Sequence, residues 1–167
     1  LALTYLASVP VVMIGLSQGL LNSVVASVLA AIVILFGIHS MAAGIYVAIA
    51  AMPALIIVRQ ALLSRPTSIL GVNEWYTIGQ VLGSLAMYGL IILAISSLYF
   101  LSNEGSITSS SKYLLNSVFA KVSASNPQFV IPLEGLARYL PGMLLSVWLI
   151  ISIINAALAQ KILVRMG

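Results

Sequence analysis

Four side chains in this sequence have the types expected of a small-molecule binding site: Tyr88, Arg138, Tyr139 and Trp148. Tyrosine and tryptophan each offer a flat apolar face and one polar tip, which suits a ligand cavity lined mostly by hydrocarbon. Arg138 could hold a charged group of the ligand at the mouth of such a cavity. The alternative is that Tyr88 and Trp148 are packed core residues, and that Tyr139 belongs to a belt of aromatic residues at a membrane surface.

Residue patterns for catalysis or metal binding are missing from the sequence. It has no cysteine, no aspartate, one histidine and three glutamates. It also lacks the nucleophile motif GxSxG, the metalloprotease motif HExxH and the glycine-rich phosphate loops. We therefore expect no catalytic residue, no metal site and no cofactor. The net charge of +4 is small and dispersed, so nucleic acid is not an expected partner either.

The composition indicates that lipid surrounds most of this chain. Only 6% of its 167 residues are charged, 62% are hydrophobic, and the mean hydropathy is +1.17. Soluble domains have about a quarter of their residues charged. The apolar runs are uniform, which favours helices over barrel strands that alternate in polarity. We predict an all-α integral membrane protein, a multi-span helical bundle that forms a single domain over residues 1–167.

Five apolar segments predict membrane spans, and the second and third are each long enough to cross a hydrocarbon core of about 30 Å. Their approximate bounds are 1–16, 20–38, 41–63, 75–101 and 141–160. Prolines predict a kink near Pro53 and a bend near Pro141. Residues 112–124 have apolar positions at helical spacing and two lysines, which indicates an amphipathic helix on the membrane surface. The chain begins inside an apolar run, so we expect a sixth span upstream.

Charged residues near the segment ends predict an orientation. Arg59 and Arg65 follow the third segment, and Lys161 and Arg165 follow the fifth. Because cytoplasmic loops are enriched in lysine and arginine, these ends should face the cytoplasm. The C-terminus is then cytoplasmic.

Small and polar residues inside the segments predict helix packing. Gly15 and Gly19 form one GxxxG motif, and Gly79 and Gly83 form another. Such motifs let helix backbones approach closely, either within the bundle or against another membrane protein. Asn22, Gln80, Ser84, Asn155 and Gln160 are expected to form interhelical hydrogen bonds. His39 falls at a turn, where a solvated or capping histidine is more common than a proton relay or a ligand.

Both ends of the sequence resemble a family of bacterial inner-membrane proteins, the YybS-like family. The resemblance lies in the opening YLASVPVVMIGLSQG (5–19) and in the closing stretches YLPGMLLSVW (139–148) and NAALAQKILVR (155–165). The opening is also similar to that of the substrate-binding S-components of energy-coupling-factor vitamin transporters. The resemblance implies their fold of six helices with both termini in the cytoplasm, and a location in the bacterial inner membrane. It implies no substrate.

Three functions remain open at this stage. The leading hypothesis is an S-component-like uptake subunit that binds a small-molecule ligand from the outer face and depends on a transporter partner for energy. No segment carries an acidic residue at its centre, which argues against a self-sufficient proton-driven transporter. The alternatives are a non-transporting scaffold or assembly factor, and an accessory subunit of a membrane complex.

Overall fold

The computed structural model describes residues 6–66, 73–75, 77–104, 111–113, 115–116 and 133–166. This part of the chain is helical apart from one short pair of strands. Its long helices are α1 (Ser8–Gln18), α2 (Leu20–Gly37), α3 (Ser40–Leu62), α4 (Ile78–Glu104) and α5 (Leu133–Met166). The strands β1 (Ser64–Pro66) and β2 (Asn73–Trp75) pair in antiparallel fashion between α3 and α4.

Four of these helices are long and apolar enough to cross a membrane. The qualifying stretches are Leu20–Gly37, Ser40–Leu62, Ile78–Tyr99 and Gly135–Met166. The shortest has 18 residues, which at the rise of an α-helix is about 27 Å. Between 11% and 33% of each apolar stretch is buried inside the protein, so most of the apolar side chains face outward. Length, composition and exposed apolar faces are those of a helical integral membrane protein.

The first predicted span, 1–16, coincides only in part with α1. This helix has 11 residues and is about 16 Å long, which is shorter than a hydrocarbon core. Residues 1–5 lie outside the described residues. Gly19 ends α1 with φ of 94° and ψ of 167°, a conformation that essentially only glycine adopts, and α2 begins at the next residue.

The fourth predicted span, 75–101, is shifted relative to α4, which begins at Ile78. A capping interaction fixes this start. The backbone N–H of Thr77 donates to Oε1 of Gln80 at 3.1 Å, and the carbonyl of Thr77 accepts from the N–H of Gln80 at 2.9 Å. The Gln80 side chain thus supplies the returning half of a capping box.

Two further helical segments correspond in part to predicted ones. The last helix, α5, begins at Leu133 and continues through Pro141, so it contains the predicted span 141–160 and extends beyond both of its ends. Residues 111–113 and 115–116 are helical, which agrees with the start of the predicted surface helix at 112–124. Residues 117–124 of that helix lie outside the described residues.

The chain divides into two compact units. One contains the residues up to Tyr88 together with those from Leu149 onward, and the other contains Gly89–Trp148. The first unit has a tightly packed apolar core, to which Val12, Val58, Leu85 and Ala159 contribute fully or almost fully buried side chains from α1, α3, α4 and α5.

Helices α1, α3 and α5 run in the same direction within the first unit. The turn at Gly19 reverses α2 against α1, so that Oγ of Ser23 donates to the carbonyl of Val11, and after the short turn at Ile38 and His39 helix α3 packs back along α2. Asn155 of α5 donates to Ser8 at the start of α1, and Ala159, one turn further on, joins the core with Val12 of α1. The cations that follow α3 and those at the end of α5 therefore lie at the same end of this unit.

Candidate functional site

An open groove of about 590 Å³ lies between α2 and α3 in the first unit. Its walls are the facing sides of these two helices, and α4 contributes one residue. The lining residues are Val24, Ser27, Val28, Ala31, Ile32 and Leu35 of α2; Ala43, Gly44, Val47, Ala48, Ala51, Met52 and Leu55 of α3; and Tyr88 of α4. The volume falls within the range of about 300–1,000 Å³ that is usual for small-molecule sites.

Small residues make the space in this groove. Ala31 on α2 and Gly44 and Ala48 on α3 are among its lining residues. No heavy atom lies within 4 Å of the position that a Cβ would occupy on Gly44. Small residues in membrane helices usually bring two backbones into contact. Here the two helices leave a gap instead.

The groove offers almost no polar surface, because its two side-chain hydroxyls are already engaged. Ser27 donates to the carbonyl oxygen of Ser23, one turn earlier in α2, at 2.8 Å. Tyr88 donates to the carbonyl oxygen of Ala48 at 2.8 Å. None of the lining residues carries a charge.

The α3 wall of the groove is broken by a π-helical turn, Val47–Ala51. At its end the N–H of Met52 donates to the carbonyl of Val47, five residues earlier, rather than to Ala48. Pro53 follows directly, and proline has no N–H to donate. The carbonyl of Ala48 therefore receives neither the i+4 nor the i+5 helical hydrogen bond.

Tyr88 supplies the donor that this break removes. Its hydroxyl, from a neighbouring helix, reaches the carbonyl of Ala48. A backbone carbonyl without a partner is unfavourable by several kcal/mol in hydrocarbon, and membrane helices with proline depend on such replacements. Tyr88 thus both lines the groove and completes the hydrogen bonding of its α3 wall.

The other three predicted ligand residues lie elsewhere on α5 and are not among the residues that line the groove. Arg138 is exposed, and the Tyr139 side chain is 67% exposed. Trp148 packs in the second unit, where its ring lies 3.2 Å from the position that a Cβ would occupy on Gly89.

The four GxxxG glycines have different surroundings. A Cβ on Gly15 would collide with the two methyl groups of Val58, so α1 and α3 are in close contact there. No heavy atom lies within 4 Å of a Cβ position on Gly19, Gly79 or Gly83. Glycine is required at Gly19 by its backbone conformation, and Gly79 and Gly83 lie on an exposed stretch of α4.

The sequence motifs do not include the closest glycine contact of the second unit. A Cβ on Gly89 would be 2.5 Å from Cδ1 of Leu145. Gly89 is six residues after Gly83, outside a GxxxG spacing. Its only sequence signal is that glycine occupies a helix interior, where it is otherwise unfavourable.

Polar residues inside the helices form several of the expected contacts. Asn155 donates to Oγ of Ser8 at 2.9 Å, and Oγ of Ser84 accepts from Nε2 of Gln60 at 2.9 Å. Both are interhelical. Asn22 instead donates to the carbonyl of Gln18 across the α1–α2 turn.

Two polar side chains act at helix starts. Gln80 forms the α4 cap described above. Nδ1 of His39 accepts from the N–H of Met41 at 3.1 Å, which caps α3 as the sequence indicated. Of the residues expected to form interhelical hydrogen bonds, Asn155 and Ser84 do so, through the contacts with Ser8 and Gln60 given above.

Comparisons with protein-family models, with curated proteins and with solved structures find no match for this chain. The groove, the break in α3 and the Tyr88 contact are therefore the observations on which a function can be based.

Proposed function

We propose that this chain is a membrane-embedded subunit that binds a small molecule for uptake, of the S-component kind, with the groove between α2 and α3 as its binding site. The observation that carries this proposal is the groove beside Gly44, where small residues of both helices, Ala31 on α2 and Gly44 and Ala48 on α3, line open space. A molecule bound in the groove would make van der Waals contacts with both helical walls.

The energy for uptake would come from a partner protein. The sequence has no nucleotide-binding glycine loop, and its three acidic residues all lie outside the predicted spans; two of them fall at helix ends, Glu104 at the end of α4 and Glu134 near the start of α5. A partner that binds and hydrolyses a nucleotide would supply the driving force, as in the transporters that the sequence resembles.

The proposal is tested by filling the groove. Gly44→Leu places a side chain in the gap, and Gly142→Leu, at an exposed glycine of α5 that also has no heavy atom within 4 Å of its Cβ position, is the matched control. Protein purified in detergent is analysed by native mass spectrometry. We expect a bound mass in the wild type and in the control that Gly44→Leu lacks. Identical spectra for all three proteins would contradict a site in this groove.

The orientation is part of the same proposal: a bacterial inner membrane with the α5 end in the cytoplasm. It is supported by the common direction of α3 and α5, whose ends carry Arg59, Lys161 and Arg165. The chain has no cysteine, so Met166→Cys introduces a single thiol. A membrane-impermeant maleimide should label this thiol only after the cells are opened. Labelling of intact cells would show that the C-terminal end of α5 lies outside.

A scaffold or accessory subunit is the second candidate, and one observation favours it. Gly79 and Gly83 form an exposed GxxxG face on α4 with no neighbour in the part of the chain that the structure describes. This face is suited to close contact with a helix of another membrane protein. If docking is the function, Gly83→Leu should release co-purifying membrane proteins, while Gly44→Leu should leave them bound.

A further inference from the structure

The groove is unsuited to a charged ligand. Its lining side chains are uncharged, and the two hydroxyls among them already donate to backbone carbonyls, Ser27 to Ser23 and Tyr88 to Ala48. A charged group in such surroundings would lose its hydration and gain no counter-charge, which is strongly unfavourable at membrane depth.

The groove is also open towards the surroundings of the helices. Several of its lining residues are substantially exposed, among them Val28 at 51% and Ile32 at 43% on α2, and Val47 at 38% on α3. Both walls belong to helices that are long and apolar enough to span a membrane. The opening therefore faces lipid, and an occupant that arrives through it must already be dissolved in the bilayer.

We infer that the ligand of this groove is an uncharged, hydrocarbon-rich molecule that enters laterally from the membrane. This inference rests on the proposed function, because it names the class of ligand for the same site. A hydrocarbon chain matches the walls in polarity, and burying it against the gap at Gly44 and Ala48 restores van der Waals contacts that the small residues leave unmade. Recognition then depends on shape and length.

The experiment uses the full chain in phosphatidylcholine vesicles with a photoactivatable long-chain alcohol that carries a diazirine on its alkyl chain. After irradiation, the labelled peptides are identified by mass spectrometry. Three competitors of equal chain length are added in turn: decanol, decanoate and decyltrimethylammonium. Gly44→Leu and Ala31→Leu block the groove from opposite walls. If one of them fails to fold, the labelling of the other still tests the site. Gly142→Leu is the control.

We expect saturable labelling of α2 and α3 in the wild type and in Gly142→Leu, with at least a fivefold reduction in Gly44→Leu or Ala31→Leu. Decanol should compete, and the two charged competitors should not. If a charged competitor displaces the probe as well as decanol does, the groove binds small molecules but the inferred class is wrong. If labelling does not saturate, or is unchanged in both blocking variants, the proposed site itself is wrong.

Discussion

The hydroxyl of Tyr88 on α4 donates to the carbonyl oxygen of Ala48 on α3 at 2.8 Å, at the point where Pro53 deprives that carbonyl of its helical partner. The contact joins two residues that are 40 positions apart in sequence. It links α4 to the break in α3 and lies at the wall of the groove.

Removal of the Tyr88 hydroxyl should destabilise the protein by about 1–3 kcal/mol, because it leaves the Ala48 carbonyl without this donor. Tyr88→Phe retains the ring and removes only the donor to Ala48. Unfolding by sodium dodecyl sulfate in mixed micelles measures the effect. Tyr139→Phe, at a side chain that is 67% exposed, is the control and should unfold like the wild type. Equal stability of both variants would show that the hydroxyl contributes nothing.

The effect of Tyr88→Phe should depend on Pro53. In Pro53→Ala a backbone N–H returns next to the break, and at π-helical spacing it can donate to the Ala48 carbonyl beside the Tyr88 hydroxyl. The hydroxyl is then less needed, so the effect of Tyr88→Phe should fall by roughly 0.5 to 1 kcal/mol in this background. A double-mutant cycle with the same unfolding assay measures the coupling. Additive free energies would mean that the proline and the tyrosine are independent.

Gly15→Ala should destabilise the protein by about 1–3 kcal/mol, as expected for overpacking. The added Cβ would collide with Val58 and lie 3.0 Å from Oγ of Ser23, which is fully buried. Gly83→Ala is the control, because no heavy atom lies near its Cβ position, and it should be neutral or slightly stabilising. Val58→Ala should relieve part of the collision in the double variant. A Gly15→Ala protein as stable as Gly83→Ala would contradict the close contact of α1 and α3.

Gly19→Ala should also destabilise the protein by about 1–3 kcal/mol, but for a different reason. Gly19 has φ of 94° and ψ of 167°, which a residue with a Cβ rarely adopts, and no neighbouring atom would be displaced. A smaller partner on another helix therefore cannot rescue this variant. The measurement is again unfolding in mixed micelles, in the Val58→Ala background, where Gly15→Ala is expected to recover and Gly19→Ala is not.

The helices could be predicted from the sequence because uniform apolar runs have few alternatives in lipid. The predicted segments 20–38 and 41–63 nearly coincide with α2 and α3. The start of α4 was less accurate, because Asn73 and Glu74 look like a helix start, while the observed cap uses Thr77 and Gln80. Which of these two helix starts the chain adopts depends on the pairing of the strand Ser64–Pro66 with the strand Asn73–Trp75.

The candidate site was less predictable. Tyr88 could be singled out as an aromatic residue deep in a span, and Pro53 as a kink. The Tyr88 hydroxyl donates to the carbonyl of Ala48, which Pro53 cannot bond because it has no N–H. This arrangement depends on how α3 and α4 pack, which no local sequence pattern specifies. The small residues that open the groove have the same types as those that close the contact at Gly15, so their opposite roles are visible only in three dimensions.

The two-stranded hairpin between α3 and α4 gives a practical consequence. Its register pairs Pro66 with Asn73, and the cap of α4, formed by Thr77 and Gln80, lies outside the paired residues. An epitope inserted between Pro66 and Asn73 should therefore rotate neither neighbouring helix. Antibody access to that epitope in sealed and in opened cells would then report directly on which side of the membrane the hairpin lies.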